Sequence, residues 1–285
     1  MKKRIITAII AVIGVFPFFY WSEPVEPTNP LNYLFPLLFS AVAFVSMWEM
    51  LYCLKLDKKY AISVPLYLLA LTFPMLARVM RGRMQEYVLI SVFAALALLL
   101  YLFAFIVFQF GKIQLSKVAL LYMTSVYIIA ADSAAIILRD MEGNGRYIFL
   151  IPFLLSWSTD IFAYFTGRLF GKHKLIESVS PKKTVEGAIG GLVCCAGVAV
   201  LYGFVLNRLF GVAPNYLVLA LCGLGIGIVS QIGDLIMSAI KREYGVKDYG
   251  WILPGHGGVL DRFDSSMAVS VLVLIVATYF PLFVV

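Results

Sequence analysis

Long apolar runs recur along almost the whole chain, and they constrain its fold more than any other feature. Nine stretches of about twenty residues are dominated by apolar side chains. A helix needs about 20 such residues to cross a bilayer, whereas the strands of a membrane barrel are about ten residues long and alternate in polarity. Because the runs do not alternate, the sequence predicts an all-α polytopic membrane protein.

The amino-acid composition indicates the same class. Hydrophobic residues make up 62% of the chain and charged residues 14%, whereas soluble domains carry about 25% charged residues. A soluble chain of this composition could not cover its surface with polar groups. The four cysteines lie in apolar runs without a CxxC spacing, so we interpret them as small apolar residues rather than as disulfides or metal ligands.

The runs predict about nine transmembrane helices. The first has a basic start but no small-residue cleavage pattern after it, so we interpret it as a retained helix and not as a signal peptide. The third is short and contains Pro65 and Pro74, which membrane helices tolerate. The predicted spans are 4–21, 32–54, 61–77, 87–110, 117–138, 147–167, 187–207, 216–240 and 264–284.

Lysine and arginine are distributed unevenly between alternate loops. With the N-terminus inside, most of these residues fall on the inner side, and the arginine-rich loop 78–83 is the exception. Because cytoplasmic loops are enriched in positive charge, we expect a cytoplasmic N-terminus and a C-terminus on the outer side. The loops 168–186 and 241–263 would then be cytoplasmic. The same rule explains the net charge of +7 without nucleic acid as a partner.

The polar groups with the spacing of a functional site are concentrated in the second half of the chain. We therefore divide it into 1–146, a set of transmembrane helices with a scaffold role, and 147–285, a catalytic region with the two cytoplasmic loops. Helix packing and homodimer contact both remain open as roles for the first part. We find no internal repeat of the kind that inverted transporter halves show.

Two aspartates, Asp160 and Asp234, lie inside predicted spans, where ionised side chains are costly and usually functional. A polar residue that packs helices is the plainer alternative, but an isolated carboxylate in lipid would protonate, so a nearby cation or metal explains them better. Asp234, Ser238 and Lys241 are spaced i, i+4 and i+7, which places them on one stripe of a helix. With Arg242 after it, this stripe suits a triphosphate.

A pair of carboxylates, Asp261 and Asp264, follows at the start of the last span. Their i, i+3 spacing places them on one face if that helix begins near Leu260. Acidic residues also occur in the first turn without a metal, because the helix dipole favours them. With Asp234 and the nearby cations included, we favour an all-oxygen site for Mg²⁺.

Two further segments are typical of anion binding. In the string PGHGG at 254–258, glycines let backbone N–H groups approach an anion just before a helix begins. A simple turn is the alternative, and the role of His256 stays open. In the second segment, Ser180 and Pro181 predict a helix cap and first position. The first helical turn would then present unpaired N–H groups to a phosphate and would contain Lys182, Lys183 and Thr184.

Across residues 238–264 the chain resembles the phosphatidate cytidylyltransferases, the CDP-diacylglycerol synthases. Two earlier strings, which begin at Asp160 and at Ser180, are similar to the same family, and the detailed resemblance covers about 156–264. The positions that carry it are Ser238, Ile240-Lys241-Arg242, Lys247-Asp248, Gly250, Leu253-Pro254, His256-Gly257-Gly258, Asp261-Arg262-Phe263-Asp264, Asp160-x-x-Ala163-Tyr164-x-x-Gly167-Arg168-x-x-Gly171-Lys172 and Ser180-Pro181-Lys182-Lys183-Thr184-x-Glu186-Gly187.

The resemblance implies that CTP and phosphatidic acid react to give CDP-diacylglycerol and pyrophosphate. It also implies Mg²⁺ as cofactor, with a second cation left open, and a bacterial inner membrane with the active site facing the cytoplasm. The implied catalytic residues are Asp234, Asp261, Asp264, Lys241 and Lys182. The implied metal ligands are Asp234, Asp261 and Asp264, with Asp160 as a further candidate. The implied substrate contacts are Lys182, Lys183, Thr184, Ser238, Lys241, Arg242, Lys247, His256, Gly257, Gly258 and Arg262.

Two alternatives remain at the level of sequence. A CTP-dependent kinase of polyprenols or dolichol would move the γ-phosphate instead, and the full PGHGGxxDRxD string argues for the cytidylyltransferase. An ion-coupled transporter would use Asp160 and Asp234 as ion sites. Transporters need sites near the midplane with access from both faces, whereas these polar groups cluster towards one face.

Overall fold

The computed structural model describes residues 30–253, 255 and 257–284. These residues are mostly helical, with two small antiparallel sheets of two strands each. All four cysteines are free thiols. After a 3-10 turn at Pro30–Tyr33, the helices are α1 Leu34–Cys53, α2 Tyr60–Val79, α3 Met84–Phe108, α4 Leu115–Asp140, α5 Gly145–Ile148, α6 Ile151–Phe170, α7 Val185–Phe210, α8 Tyr216–Glu243 and α9 Leu260–Tyr279. The strands are β1 Lys174–Ile176, β2 Ser180–Thr184, β3 Ala213–Pro214 and β4 Phe283–Val284.

Seven helical segments of the described chain are long and apolar enough to cross a membrane. They match the second to the eighth predicted spans, which confirms an all-α membrane protein. The predicted span 4–21 lies outside the described residues. The predicted span 264–284 corresponds to α9, which begins at Leu260 and is not one of the seven. The total of nine spans and the orientation stay predictions.

The described chain forms two compact units. Unit 1 contains the described residues up to Ile137 and the segment Val246–Arg262. Unit 2 contains Leu138–Gly245 and the described residues from Phe263 onwards. Helices α4 and α9 each pass from one unit to the other along the chain. This division by packing differs from the predicted functional division at residue 146, which stays a prediction.

In unit 1 the C-terminal half of α1 is a central part of the core. Met47, Met50 and Leu51 are fully buried, as is Tyr249 of the Val246–Arg262 segment. Between membrane helices, where lipid is as apolar as the side chains, van der Waals packing of such residues stabilises the contact. Helices α1 and α2 pack together, and α2 continues through Pro65 and Pro74. The predicted third span is therefore a full helix of 20 residues.

In unit 2, α6, α7 and α8 pack closely through small residues. A Cβ atom added to Gly187 would lie 2.7 Å from the carbonyl oxygen of Ala163, and one added to Gly191 would lie 2.9 Å from that of Thr159. Glycine at these positions lets the backbones of α6 and α7 approach each other, as small residues commonly do in membrane helices. This close packing places the polar side chains of α6 beside the start of α7.

The segment Ser180–Thr184 is a strand, so the predicted helix start at Ser180-Pro181 is wrong. This strand, β2, pairs with β1 in an antiparallel hairpin, and α7 begins only at Val185. A two-stranded hairpin tolerates Pro181 because an edge position needs no N–H donor there. The helix cap is Thr184, whose Oγ1 accepts the N–H of Gly187 at 3.1 Å.

Candidate functional site

A cleft of about 360 Å³ in unit 2 brings many of the predicted residues together. Its size lies within the range of small-molecule pockets. Walls from α6, α7, α8 and the β1–β2 hairpin combine positive, negative and hydroxyl groups. The polar side chains of the lining are Asp160, Tyr164, Arg168, Ser180, Lys182, Lys183, Thr184, Gln231 and Asp234. A site of this composition can bind phosphate oxygens beside carboxylate groups.

One face of α6 forms a wall of the cleft. Residues 160, 163, 164, 167 and 168 line it, and this spacing is a single helical stripe. Arg168 Nη1 donates to the hydroxyl of Tyr164 at 3.4 Å, which orients the guanidinium group along that wall. Arg168 was not among the predicted site residues. The signal that could have found it is its i, i+8 spacing from Asp160 within a string already assigned to the family.

Lys183 and Asp234 form an ion pair in the cleft. Lys183 Nζ lies 2.5 Å from Asp234 Oδ2, and the two side chains are 26% and 23% exposed. Ser238 Oγ donates to Asp234 Oδ1 at 3.2 Å. Asp234, Ser238 and Lys241 all lie in α8, as the i, i+4 and i+7 spacing predicts. Both oxygens of Asp234 are therefore engaged by groups that were predicted to bind substrate.

Three carboxylates lie in one neighbourhood of unit 2. Asp264 is buried and is within electrostatic range of Asp234, Asp160 and Lys241. Its Oδ1 accepts the backbone N–H of Ser265 at 2.8 Å, and Ser265 Oγ donates to Asp160 Oδ2 at 3.5 Å. Like charges at this proximity repel, so the neighbourhood is suited to a cation.

The donor chemistry of this neighbourhood fits Mg²⁺. Among the residues that the structure describes, no three or more His, Cys, Asp or Glu side chains form a ready-made metal cage. Such a cage is not required, because Mg²⁺ is usually held by one or two carboxylates, with water and substrate phosphates as its other ligands. The carboxylate oxygens of Asp160, Asp234 and Asp264 supply that kind of donor.

The β1–β2 hairpin is held in place by contacts at its base and tip. At its base, His173 Nδ1 lies 2.6 Å from Glu186 Oε1, and the backbone N–H of His173 donates to the same carboxylate. At its tip, Arg242 Nε donates to the carbonyl of Val179 at 3.4 Å. Lys182, on this hairpin, is exposed at the cleft. Arg242, predicted to contact phosphate, therefore also contacts the hairpin that carries the lysines.

The remaining predicted residues lie in unit 1, apart from His256, which is outside the described residues. Asp261 is buried, and its Oδ2 accepts the backbone N–H groups of Tyr249 at 2.8 Å and of Gly258 at 2.9 Å. The N–H of Gly258 thus donates to a protein carboxylate, and its predicted contact with an anion stays a prediction. The other predicted residues of this unit are Lys247, Gly257 and Arg262, of which Lys247 and Arg262 are exposed.

The glycine at 257 has a structural reason of its own. Its φ is +87°, a conformation that L side chains rarely adopt, and an added Cβ would lie 3.0 Å from Asp261 Oδ2. Its carbonyl accepts the N–H of Leu253 at 3.0 Å. The backbone at Gly257 therefore favours glycine, three residues before α9 begins at Leu260, and this start meets the condition under which Asp261 and Asp264 were expected to share a helix face.

Comparison with known proteins gives a match along nearly the whole chain. The model described as "Cytidylyltransferase family" matches residues 2–280. The phosphatidate cytidylyltransferase of Bacillus subtilis (strain 168) is 33% identical over 278 residues, which covers 94% of each chain. That of Staphylococcus haemolyticus (strain JCSC1435) is 34% identical over 269 residues, covering 94% of this chain and 96% of the relative. That of Staphylococcus aureus (strain COL) is 46% identical over 132 residues, covering 46% and 48%.

Proposed function

Because the chain belongs to the cytidylyltransferase family, we propose that it transfers the cytidylyl group of CTP to phosphatidic acid and releases pyrophosphate. The product is CDP-diacylglycerol, a precursor for phospholipid synthesis. Relatives named phosphatidate cytidylyltransferase support this substrate pair. The single observation that carries the proposal is the cleft of unit 2, where lysine and arginine side chains line the same walls as carboxylates.

The chemistry asks for positioning rather than for a covalent intermediate. An oxygen of the phosphatidate phosphate attacks the α-phosphorus of CTP and forms a new P–O bond. The bond from that phosphorus to the oxygen bridging the α- and β-phosphates breaks, and pyrophosphate leaves with the electron pair. Such a transfer depends mainly on alignment and charge neutralisation. A phosphomonoester is already ionised near pH 7, so no general base is required.

The cations of the cleft are the groups that bind phosphates. Lys182, Lys183 and Arg168 line it, and an arginine can bind phosphate oxygens in a bidentate way while a lysine acts as a point charge. Lys241 and Arg242 follow at the end of α8. Asp234 pairs with Lys183 within the cleft and so orients its ammonium group. A bound phosphate would then replace Asp234 as the partner of that ammonium group.

Mg²⁺ is the proposed cofactor. Asp234 and Asp264 would hold it, with Asp160 as a further candidate. Asp261 is also proposed as a ligand, on the ground of the sequence analysis alone. When bound, the ion would neutralise charge on the phosphate oxygens. A second cation stays open. The other predicted substrate contacts, among them Thr184, the glycines 257 and 258, Lys247 and Arg262, are part of the same proposal.

The proposed setting is a bacterial inner membrane, with the cleft on the cytoplasmic side. Seven apolar helices support an integral membrane protein, and the bacterial relatives support a bacterial membrane. CTP is present in the cytoplasm, so we assign the cleft to the cytoplasmic side of the membrane. Homodimer contact through the first helices stays open beside helix packing, and the mass of the purified protein in detergent decides between a monomer and a dimer.

Product analysis tests the proposal. The purified full-length protein, in vesicles that contain phosphatidic acid, would be given CTP and Mg²⁺, and lipids and nucleotides would be identified by mass spectrometry. We expect CDP-diacylglycerol and pyrophosphate in equal amounts, with both substrates required. Release of CDP together with a phosphorylated polyprenol, when polyprenol is supplied, would favour the kinase. Ion flux with no nucleotide requirement would favour the transporter.

A further inference from the structure

A buried glutamate in the first described long helix makes contacts that the sequence does not suggest. Glu49 of α1 is fully buried in unit 1. Its Oε1 accepts the backbone N–H of Val259 at 2.9 Å, and its Oε2 accepts that of Leu260 at 2.7 Å. An acidic side chain within a membrane-spanning helix is costly and is retained mainly where it has a function. Both oxygens are directed at one short segment, more than 200 residues away in sequence.

The segment is shaped to receive this carboxylate. A Cβ atom added to Gly258 would lie 2.5 Å from each oxygen of Glu49, which is closer than real Cβ contacts come. Gly250 also packs directly against the Glu49 side chain. Two glycines on opposite ends of the segment thus leave room for one buried carboxylate. Glycine at 258 therefore has a reason that needs no ligand, since any side chain there would displace Glu49.

Aromatic contacts fix the same segment to the same turns of α1. The ring of Trp251 lies 5.5 Å from that of Trp48 and 5.2 Å from that of Tyr52, measured between centroids, and both pairs are edge-to-face. Such pairs contribute about 0.5–1.5 kcal/mol beyond their buried area. Trp48 and Tyr52 lie on either side of Glu49 in the sequence. The stretch of α1 from Trp48 to Tyr52 therefore contacts the segment through two aromatic rings and one carboxylate.

We propose that Glu49 is a positioning residue for the transfer reaction, which holds the backbone at Val259 and Leu260, next to Asp261, in the conformation that the reaction requires. The proposal rests on the proposed function. Glu49 fixes the N–H groups of Val259 and Leu260, while Asp261 fixes those of Tyr249 and Gly258. Within unit 1, two carboxylates thus hold the backbone at Tyr249 and at residues 258–260. The first helices would then contribute to the reaction and not only to packing.

The variant Glu49→Gln separates this role from a general loss of fold. Glutamine has the same shape, but its amide presents one acceptor oxygen and one NH₂ donor, so it can accept only one of the two N–H groups. Glu49→Asp keeps the charge on a shorter side chain, and Glu49→Ala removes both acceptors. Glu86→Gln is the matched control, because Glu86 is an exposed glutamate of the same unit that pairs with Arg83.

The first measurement is amide hydrogen exchange of the full-length protein in detergent. We expect faster exchange of peptides that cover 249–262 in Glu49→Gln and Glu49→Ala, and unchanged exchange in the rest of α1 and α2. The second measurement is steady-state kinetics with CTP and phosphatidic acid. Loss of a group that orients an active-site residue typically costs about 10–100-fold. We expect a fall of that size in kcat/KM for Glu49→Gln, partial recovery in Glu49→Asp, and wild-type values for Glu86→Gln.

Two results would overturn the proposal. Unchanged exchange at 249–262 in Glu49→Gln would show that Glu49 does not hold the segment. Faster exchange with unchanged kcat and KM would show that the segment's conformation does not affect the reaction. Failure of the proposed function is recognised separately, because wild-type protein would then make no CDP-diacylglycerol. In that case the positioning role falls with it, while the exchange data still decide whether Glu49 holds the segment.

Discussion

Lys183 Nζ lies 2.5 Å from Asp234 Oδ2, so a cation proposed to bind phosphate is held by a carboxylate proposed to bind Mg²⁺. Both side chains are mostly covered, and a covered charge is stable only when it is paired. The pair lets both charges persist in the cleft before substrates arrive. When the substrates bind, a phosphate would become the new partner of Lys183, and Mg²⁺ would become the new partner of Asp234.

Replacement of Lys183 by methionine should lower turnover strongly. Methionine keeps much of the volume but cannot neutralise charge that develops on phosphate oxygens. Loss of one such electrostatic contact typically costs about 10²–10³-fold in kcat. The measurement is the initial rate of CDP-diacylglycerol formation, with Lys58→Met as control because Lys58 is an exposed lysine of unit 1. Wild-type kinetics in Lys183→Met would remove this lysine from the mechanism.

A charge swap separates the structural and the functional roles of the same pair. Lys183→Asp and Asp234→Lys should each lower the Tm, because each leaves like charges facing each other. The double variant should recover much of the Tm, since opposite charges are restored. Turnover should stay low, because the carboxylate and the ammonium group have exchanged places relative to the phosphates. Recovery of turnover together with the Tm would mean that the pair has only a structural role.

The carboxylates should control the requirement for Mg²⁺. Asp234→Asn and Asp264→Asn are each expected to raise the Mg²⁺ concentration for half-maximal rate by about tenfold or more, since a neutral amide is a weaker ligand. Asp261→Asn should lower the rate by about 10²-fold or more. Glu177→Gln, an exposed acid on the hairpin, is the control. Binding of Mn²⁺, followed by electron paramagnetic resonance, gives a readout that does not depend on turnover. Unaltered metal dependence in both Asp234→Asn and Asp264→Asn would contradict the assignment.

The close packing of α6 against α7 should make Gly187 intolerant of a methyl group. In Gly187→Ala the new Cβ would lie 2.7 Å from the Ala163 carbonyl and 3.0 Å from Gly167 Cα, so the helices must move apart. Overpacking of this kind costs about 1–3 kcal/mol. Gly197→Ala in the same helix is the control, because no atom lies within 4 Å of its added Cβ. A Tm for Gly187→Ala equal to that of Gly197→Ala would contradict the packing.

The position of the α7 cap can be tested by stability alone. Thr184→Ala should destabilise the protein by about 1 kcal/mol because the N–H of Gly187 loses its acceptor, and Thr184→Ser should restore most of it. Ser180→Ala should have a much smaller effect, because Ser180 lies in a strand. A larger loss of Tm in Ser180→Ala than in Thr184→Ala would instead support the helix start predicted at Ser180-Pro181.

Much of the fold could be predicted because run length and apolar character determine where a helix can span a membrane. The stripe of Asp234, Ser238 and Lys241 in α8 followed from helical spacing alone, whereas α9 begins at Leu260, four residues before the predicted span 264–284. The β1–β2 hairpin could not be predicted in the same way. Its strands are short and polar, and Ser180-Pro181 fits a helix cap as well as an edge strand until pairing with β1 decides between them.

The candidate site was predictable where its residues carry a local signal. Asp264 and the lysines of the hairpin stand in polar strings, and Asp234 is an acid inside an apolar span that shares a helical stripe with Ser238 and Lys241. Glu49 is a single acid in an apolar run, and its partners lie 210 and 211 positions away. Nothing local indicates that contact. Arg168 lies between these cases, since its spacing from Asp160 was visible but its direction into the cleft was not.

In the proposed reaction the cytidylyl group, and not the γ-phosphate, moves to the lipid. Wild-type protein in vesicles with phosphatidic acid and Mg²⁺ would be given CTP labelled at either the α- or the γ-phosphate, and the organic phase would be counted. We expect label in the lipid from α-labelled CTP only, and we expect EDTA to abolish it. Label in the lipid from γ-labelled CTP, or none from the α-labelled nucleotide, would contradict it.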